Sequence, residues 1–158
     1  MFGVKLQVFQ EVKAMTKVYL AGPFFTEHER FLIEEYAKIL RTKFEVFVPM
    51  EHFVPDGEKL PNDVWGKSVF EIDKKGIDDA EIVIAVDHGF TSDAGTAWEV
   101  GYAYGQNKIV FVVSATEQKN PIHSLMMVNG STKFFDSFGD LWKFLDKGID
   151  TYSKLEVK

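Results

Sequence analysis

Four acids stand where chemistry is possible: Asp73, Asp87, Asp93 and Glu99. They follow the ends of apolar runs or lie on neighbouring segments, and the aromatics Tyr19, Phe24, Phe25 and Trp65 accompany them. Aromatic faces suit a planar base, and carboxylates suit the anomeric carbon of a sugar. In a retaining glycosyl transfer one carboxylate attacks that carbon and forms an ester. A second acid manages the proton of the leaving group, and an acceptor then attacks the ester. Acids at strand ends are equally a donor set for magnesium, as in receiver-like domains. In a third reading the aromatics are core and the acids are solvated surface.

Glu99 is the acid with the most informative setting. It belongs to the stretch Asp93-Ala94-Gly95-Thr96-Ala97-Trp98-Glu99-Val100-Gly101-Tyr102-Ala103, which follows the apolar run Ile82–Val86 and a polar loop from Asp87 to Asp93. This order predicts a buried strand, a loop, and a helix with Glu99 in or near its first turn. The crevice beyond strand ends is where parallel α/β sheets bind ligands, and a helix start favours an ionised carboxylate. Ala94, Ala97, Gly101 and Gly105 recur at three- and four-residue spacing, a small-residue face that predicts close approach of another backbone, in the sheet or across a subunit interface.

The elements that must position these residues alternate along the chain. Lys17–Ala21 reads as a first buried strand, ended by Gly22-Pro23-Phe24-Phe25. Thr26 and Glu29 have capping-box spacing, opening a helix to about Thr42 with Phe31, Leu32, Tyr36, Ile39 and Leu40 inward. Glu45–Val48 is a second strand, stopped by Pro49. Met50–Asn62 is a long loop, either a functional lid or a tolerated insertion. A helix over Asp63–Asp79 carries Val64, Trp65, Val69, Ile72 and Ile77, and Asp73 interrupts its apolar side. After Ile82–Val86 and the Glu99 helix, which runs to about Asn107, come a strand at Lys108–Val113 and a polar loop, Ser114–Asn120. Then follow a short helix opened by Pro121, a strand at Lys133–Phe135 and a last helix capped by Asp136 or Ser137. The pattern implies an α/β fold: a five-stranded parallel sheet with helices on both faces. We expect one domain over residues 16–150, an N-terminal extension over 1–15 and a polar tail over 151–158.

Composition narrows the partners. The chain has 158 residues, net charge −6, 15 phenylalanines and no cysteine. No basic tract offers a site for a nucleic-acid backbone, and neither a disulfide framework nor a thiolate metal site is possible. His28, His52, His88 and His123 lack ligand-pair spacing. No apolar run spans a membrane and no signal peptide is evident, so a cytoplasmic location is expected. Dinucleotide, P-loop and nucleophile-elbow motifs are missing after the strands.

Four segments, in order and in register, resemble the nucleoside 2-deoxyribosyltransferases: Tyr19-Leu20-Ala21-Gly22-Pro23-Phe24-Phe25; Val64-Trp65 with Asp73 eight residues later; Asp93-x-Gly95-x-x-x-Glu99-x-Gly101-Tyr102-Ala103; and Leu125-Met126. The stretch Phe134-Phe135-Asp136-Ser137-Phe138 is also similar. The resemblance implies a flavodoxin-like (Rossmann-like) fold and a ping-pong exchange of a 2'-deoxyribosyl group between purine or pyrimidine bases, without a cofactor or metal. It makes Glu99 the nucleophile, oriented by Tyr19. Asp73 and Asp93 would contact base and sugar, one of them supplying the leaving-group proton. Gly22, Pro23, Phe24, Trp65 and Gly95 would shape the substrate site. Met126 stands where the family brings in a neighbouring subunit's residue, so a homo-oligomer, dimer or larger, with sites at its interfaces is implied.

Two positions depart from that pattern. Ser124 stands where many transferases have an asparagine at the sugar's 5' end, and a serine there resembles the 2'-deoxynucleoside 5'-monophosphate N-glycosidases. Asp93 argues for nucleosides, because an anion repels a neighbouring phosphate by about 4 kcal/mol at close range, and the Gly22–Phe25 loop has no basic residue. The tail from Tyr152 to Lys158 also lacks the ending by which some members place a terminal carboxylate in a neighbour's site. A hydrolase using water as acceptor, and a non-catalytic nucleoside-binding or receiver-like module, are the competing readings.

Overall fold

Apolar residues run unbroken through three segments, which is the signature of strands covered on both faces. These are β1 (Lys17–Ala21), β3 (Ile82–Asp87) and β4 (Ile109–Ser114), buried apart from Lys17 and part of Ile109. Two three-residue strands, β2 (Glu45–Phe47) and β5 (Lys133–Phe135), flank them. The sheet has the order β2-β1-β3-β4-β5 with every pair parallel, which is the flavodoxin-like order with its switch point between β1 and β3. The computed structural model describes residues 14–89 and 91–148. The expected extension lies outside the described residues except for Ala14 and Met15, and the polar tail lies wholly outside them.

Side chains alternate across the sheet because strand periodicity is two. Val18, Leu20, Ile82, Ile84, Val86, Phe111 and Val113 form one face, packed with Ile33, Ala37 and Leu40 of α1 (Glu27–Leu40) and Leu141 and Leu145 of α5 (Phe138–Leu145). Tyr19, Ala21, Val83, Ala85, Val110 and Val112 form the other. They pack with Ile77 of α2 (Asn62–Asp79), Val100 and Ala103 of α3 (Ala94–Gly105) and Met127 of α4 (Leu125–Asn129).

The Thr26–Glu29 capping box forms as the spacing predicts. The inward stripe of α1 differs from the expected one. Ile33, Ala37 and Leu40 share the buried face, and Phe31 is 58% exposed. The α2 stripe is also less buried than its apolar content predicts, for only Gly76 and Ile77 are buried while Val64, Trp65 and Phe70 stand open. The long loop contains two 3-10 turns, Pro49–Glu51 and Gly57–Lys59. Arg41 anchors its start by pairing with both oxygens of Glu51. The last short helix begins at Leu125 rather than at Pro121, because residues 121–124 run as irregular chain.

Gly76 lets α2 lie against the sheet. A Cβ there would meet the Phe47 ring at 2.8–2.9 Å. The Phe47 ring is stacked between Tyr19 (5.4 Å, 12°) and His52 (3.9 Å, 2°), so displacing it would disturb both contacts. Gly76→Ala is therefore expected to destabilise the fold by about 1–3 kcal/mol, read as a lower urea midpoint with an unchanged slope.

Candidate active site

Asp93 fixes where α3 begins. Its Oδ2 accepts from the Thr96 amide (2.8 Å) and the Thr96 hydroxyl (3.0 Å), so Asp93 is the N-cap. Glu99 consequently sits in the second turn, one turn further in than a helix-start acid. This changes its electrostatics from the sequence expectation. The helix terminus is remote, and burial dominates.

Tyr19 points from the middle of β1 toward α3, and its hydroxyl donates to Glu99 Oε1 at 2.5 Å. Burial pushes the Glu99 carboxyl up from 4.5 to about 7; the Tyr19 hydrogen bond opposes this, and the nearby charges of Asp73 and Asp93 add to it. The Tyr19 phenol is itself pushed far up, by burial first and then by Glu99 and Asp73, so it remains a donor. Asp73 on α2 is raised by its own burial, against the influence of His52.

Asp73 and Glu99 line one cavity of about 330 Å³ together with Phe70, Gly95 and Trp98. A clamp at the far end of the helices holds this juxtaposition. Asp78 Oδ1 accepts from Tyr102 Oη and from Gln106 Nε2, each at 2.8 Å, and Lys74 pairs with Asp78 Oδ2. Lys108 Nζ donates to the Asp78 and Ala80 carbonyls at 2.9 and 2.7 Å. A second, mostly apolar cavity of about 360 Å³ lies between β2 and α2, lined in part by Phe47, His52, Ile72 and Gly76, away from the Glu99 carboxyl.

The other residues expected in the site are placed variously. Gly95 lines the Glu99 cavity. Gly22 meets the core, where a Cβ would fall 2.7 Å from Ile33 Cδ1 and 3.1 Å from Val86 Cβ. Pro23 is buried. Phe24 stacks on Phe25 at 5.6 Å, and Arg30 donates to both their carbonyls, at 3.1 and 3.2 Å. Trp65 is half-exposed and packs over the Gly57 turn. Ser124 is the N-cap residue of α4, and Met126 is 81% exposed; neither lines the Glu99 cavity among the described residues. On the small face of α3, Cβ atoms at Gly101 or Gly105 would meet nothing within 4 Å among the described residues, whereas Ala97 packs against the core.

Phe70 and Trp98 escaped the sequence reading, although both carry a signal. Phe70 lies three residues before Asp73 on one helix, and Trp98 directly precedes Glu99. Their rings meet at 5.1 Å and 60°, and Trp98 also stacks on Tyr102 at 4.9 Å. An aromatic wall beside two carboxyl groups suits a flat, uncharged base held against a sugar.

If Asp73 moves a proton in the reaction, as the family resemblance implies, Asp73→Asn is expected to lower turnover about 10²-fold, with little change in thermal stability. A sharp fall in melting temperature with normal activity per folded molecule would make Asp73 structural.

Among the described residues no group of three or more His, Asp or Glu converges to hold a metal ion, and no helix is long and apolar enough to cross a membrane. The sequence profile of the nucleoside 2-deoxyribosyltransferases matches residues 18–139. Comparison with curated protein sequences finds no match. Among solved structures, a 2-deoxyribosyltransferase from Bacillus psychrosaccharolyticus is 31% identical, with a TM-score of 0.71 over 80% of this chain and 90% of that one. Two others share the fold at 20% identity. A 2-deoxyribosyltransferase from Leishmania mexicana has a TM-score of 0.61, covering 85% of this chain and 99% of that one. A CMP N-glycosidase from Clostridium botulinum has a TM-score of 0.53, covering 84% and 97%. The profile spans most of the chain and takes in Tyr19, Asp73, Asp93 and Glu99, and with the Bacillus relative it makes this protein a member of the nucleoside 2-deoxyribosyltransferase family of enzymes.

Proposed function

We propose that the protein exchanges the base of 2'-deoxynucleosides through a glycosyl ester on Glu99. Tyr19 occupies Oε1, which leaves Oε2 to attack C1'. The C1'–O bond forms as the C1'–N bond breaks, and the departing base takes a proton from Asp73 or Asp93. A second base then attacks C1', Glu99 leaves as a carboxylate, and the incoming base returns its proton to the acid. The chemistry needs no redox partner, and no cofactor enters it. The observation that carries this reading is the part-buried Tyr19–Glu99 hydrogen bond, with Glu99 and Asp73 lining one cavity.

The acid at Asp93, and the lack of a cationic side chain among the described residues that line the Glu99 cavity, favour nucleosides over monophosphates. A monophosphate N-glycosidase is the second reading, and Ser124 is the observation in its favour. We further propose that the protein works as a homo-oligomer. Trp65, Phe70, Trp98, Leu125 and Met126 are all exposed, and a second copy would cover them. Ser124 and Met126 would then complete a neighbour's site. The role is base exchange in nucleotide salvage in the cytoplasm.

One chromatographic assay tests the reading. The protein is incubated with a 2'-deoxynucleoside, with and without a second free base. A new nucleoside formed only in the presence of the second base supports transfer. Equal base release in both tubes, with no new nucleoside, makes the protein a hydrolase. No product from any nucleoside or monophosphate would leave a binding module.

A further inference from the structure

Asp87 ends β3 and has no part in the chemistry proposed above, yet its side chain is 0% exposed. A buried carboxylate needs donors on its oxygens, and Asp87 has two. Ser92 Oγ approaches Oδ1 at 2.5 Å, and His123 Nδ1 approaches Oδ2 at 2.6 Å. Because a carboxylate oxygen only accepts, Nδ1 carries the hydrogen of the second bond. Ser, His and Asp together suggest a hydrolytic triad, but the order is wrong. A nucleophilic serine bonds to the histidine, whereas here both Ser92 and His123 bond to the acid.

The two donors come from different loops. Ser92 immediately precedes Asp93, the cap of the helix that bears Glu99. His123 immediately precedes Ser124, the cap residue of α4. The main chain reinforces the same junction, for the Ala115 amide donates to the Asp87 carbonyl at 2.8 Å. A Cβ at Gly89, whose φ is +101°, would lie 3.7 Å from the Ile122 carbonyl oxygen. The Phe134 ring flanks His123 at 4.7 Å.

We propose that Asp87 and His123 are positioning residues: one buried acid locks the β3–α3 loop to the β4–α4 loop and so sets Asp93 and the Ser124–Met126 segment as a unit. The lock explains why residues 121–124 do not join α4, since His123 is held down to the sheet edge. The catalytic consequence rests on the transferase reading; the structural coupling does not.

The test uses hydrogen exchange on the full-length protein and two variants. In His123→Ala, amides of both Thr91–Thr96 and Ile122–Met127 are expected to exchange about tenfold faster or more, while those of Ile82–Val86 stay unchanged. His123→Asn places an amide nitrogen where Nδ1 was and is expected to restore slow exchange in both loops. Acceleration confined to the substituted loop, or none at all, would overturn the coupling even in a protein without turnover. In the active enzyme, His123→Ala is expected to raise KM for the deoxynucleoside about tenfold with kcat within about threefold, and His123→Asn to recover the parental KM. A parental KM in His123→Ala, or a loss that follows only the folded fraction, would overturn the positioning role. Absence of turnover in the parent would count against the transferase reading alone.

Discussion

Glu99→Ala is expected to abolish base exchange, with kcat falling by about 10⁴-fold or more, because removal of a nucleophile forfeits the whole covalent route. The expectation follows from the geometry. Among the described residues no other carboxyl group accepts from Tyr19, and Asp73 and Asp93 raise the Glu99 carboxyl rather than substitute for it. The loss should fall on kcat far more than on KM, since Phe70, Trp98 and Gly95 still line the cavity. Mass spectrometry of the parent, quenched with deoxynucleoside and no acceptor, should find one 2-deoxyribosyl group on the peptide that contains Glu99. Adduct on another residue, or turnover in Glu99→Ala near the parental rate, would sink the assignment.

Glu99→Gln is expected to stabilise the protein at pH 8 while it removes activity. Folding raises the Glu99 carboxyl from 4.5 to about 7, so the folded state holds its proton more tightly than the unfolded chain. The stabilising effect of that proton is fully present below about pH 4.5 and is lost as pH rises through about 7. The gap corresponds to about 3 kcal/mol, carried above pH 7 as the cost of a charged, buried carboxylate. Glutamine carries no charge, so its melting temperature should exceed the parent's by roughly 5–10 °C at pH 8 and match it at pH 4. Equal melting temperatures at both pH values would show that the parent relieves the buried charge by another route. The same titration governs catalysis. Only the ionised carboxylate attacks C1', so kcat/KM should rise with pH through about 7.

The sheet was legible in the sequence because its strands are buried on both faces, and burial writes itself as unbroken runs such as Ile82–Val86. The Thr26–Glu29 box was legible because capping chemistry is local. What failed was whatever depended on a competing partner. The Asp93 oxygen caps α3, which sets the helix start and puts Glu99 in the second turn rather than the first. Phe31 read as core, but the short residue Ala37 shares the buried stripe with Ile33 and Leu40 instead. The Tyr19–Glu99 bond spans 80 residues of sequence, and no periodicity links such distant positions; only the family resemblance suggested it. The Asp87–His123 contact was invisible for the same reason. Trp98 and Phe70 were passed over because exposed aromatics on a helix look the same whether they await a ligand, a neighbour or water.

The edges of the sheet have a consequence for how this enzyme can change over time. β2 and β5 offer three residues each, too little main chain to template another strand. In the homo-oligomer proposed above, contacts between copies would fall to side chains on helices α2, α3 and α4, and α2 and α3 also line the cavity. Main-chain pairing is hard to retune, whereas helix side chains can be exchanged singly. In such an assembly, mutations on α2 or α3 that reshape the seam between subunits would also reshape the pocket, so substrate range and quaternary structure are expected to drift together rather than independently.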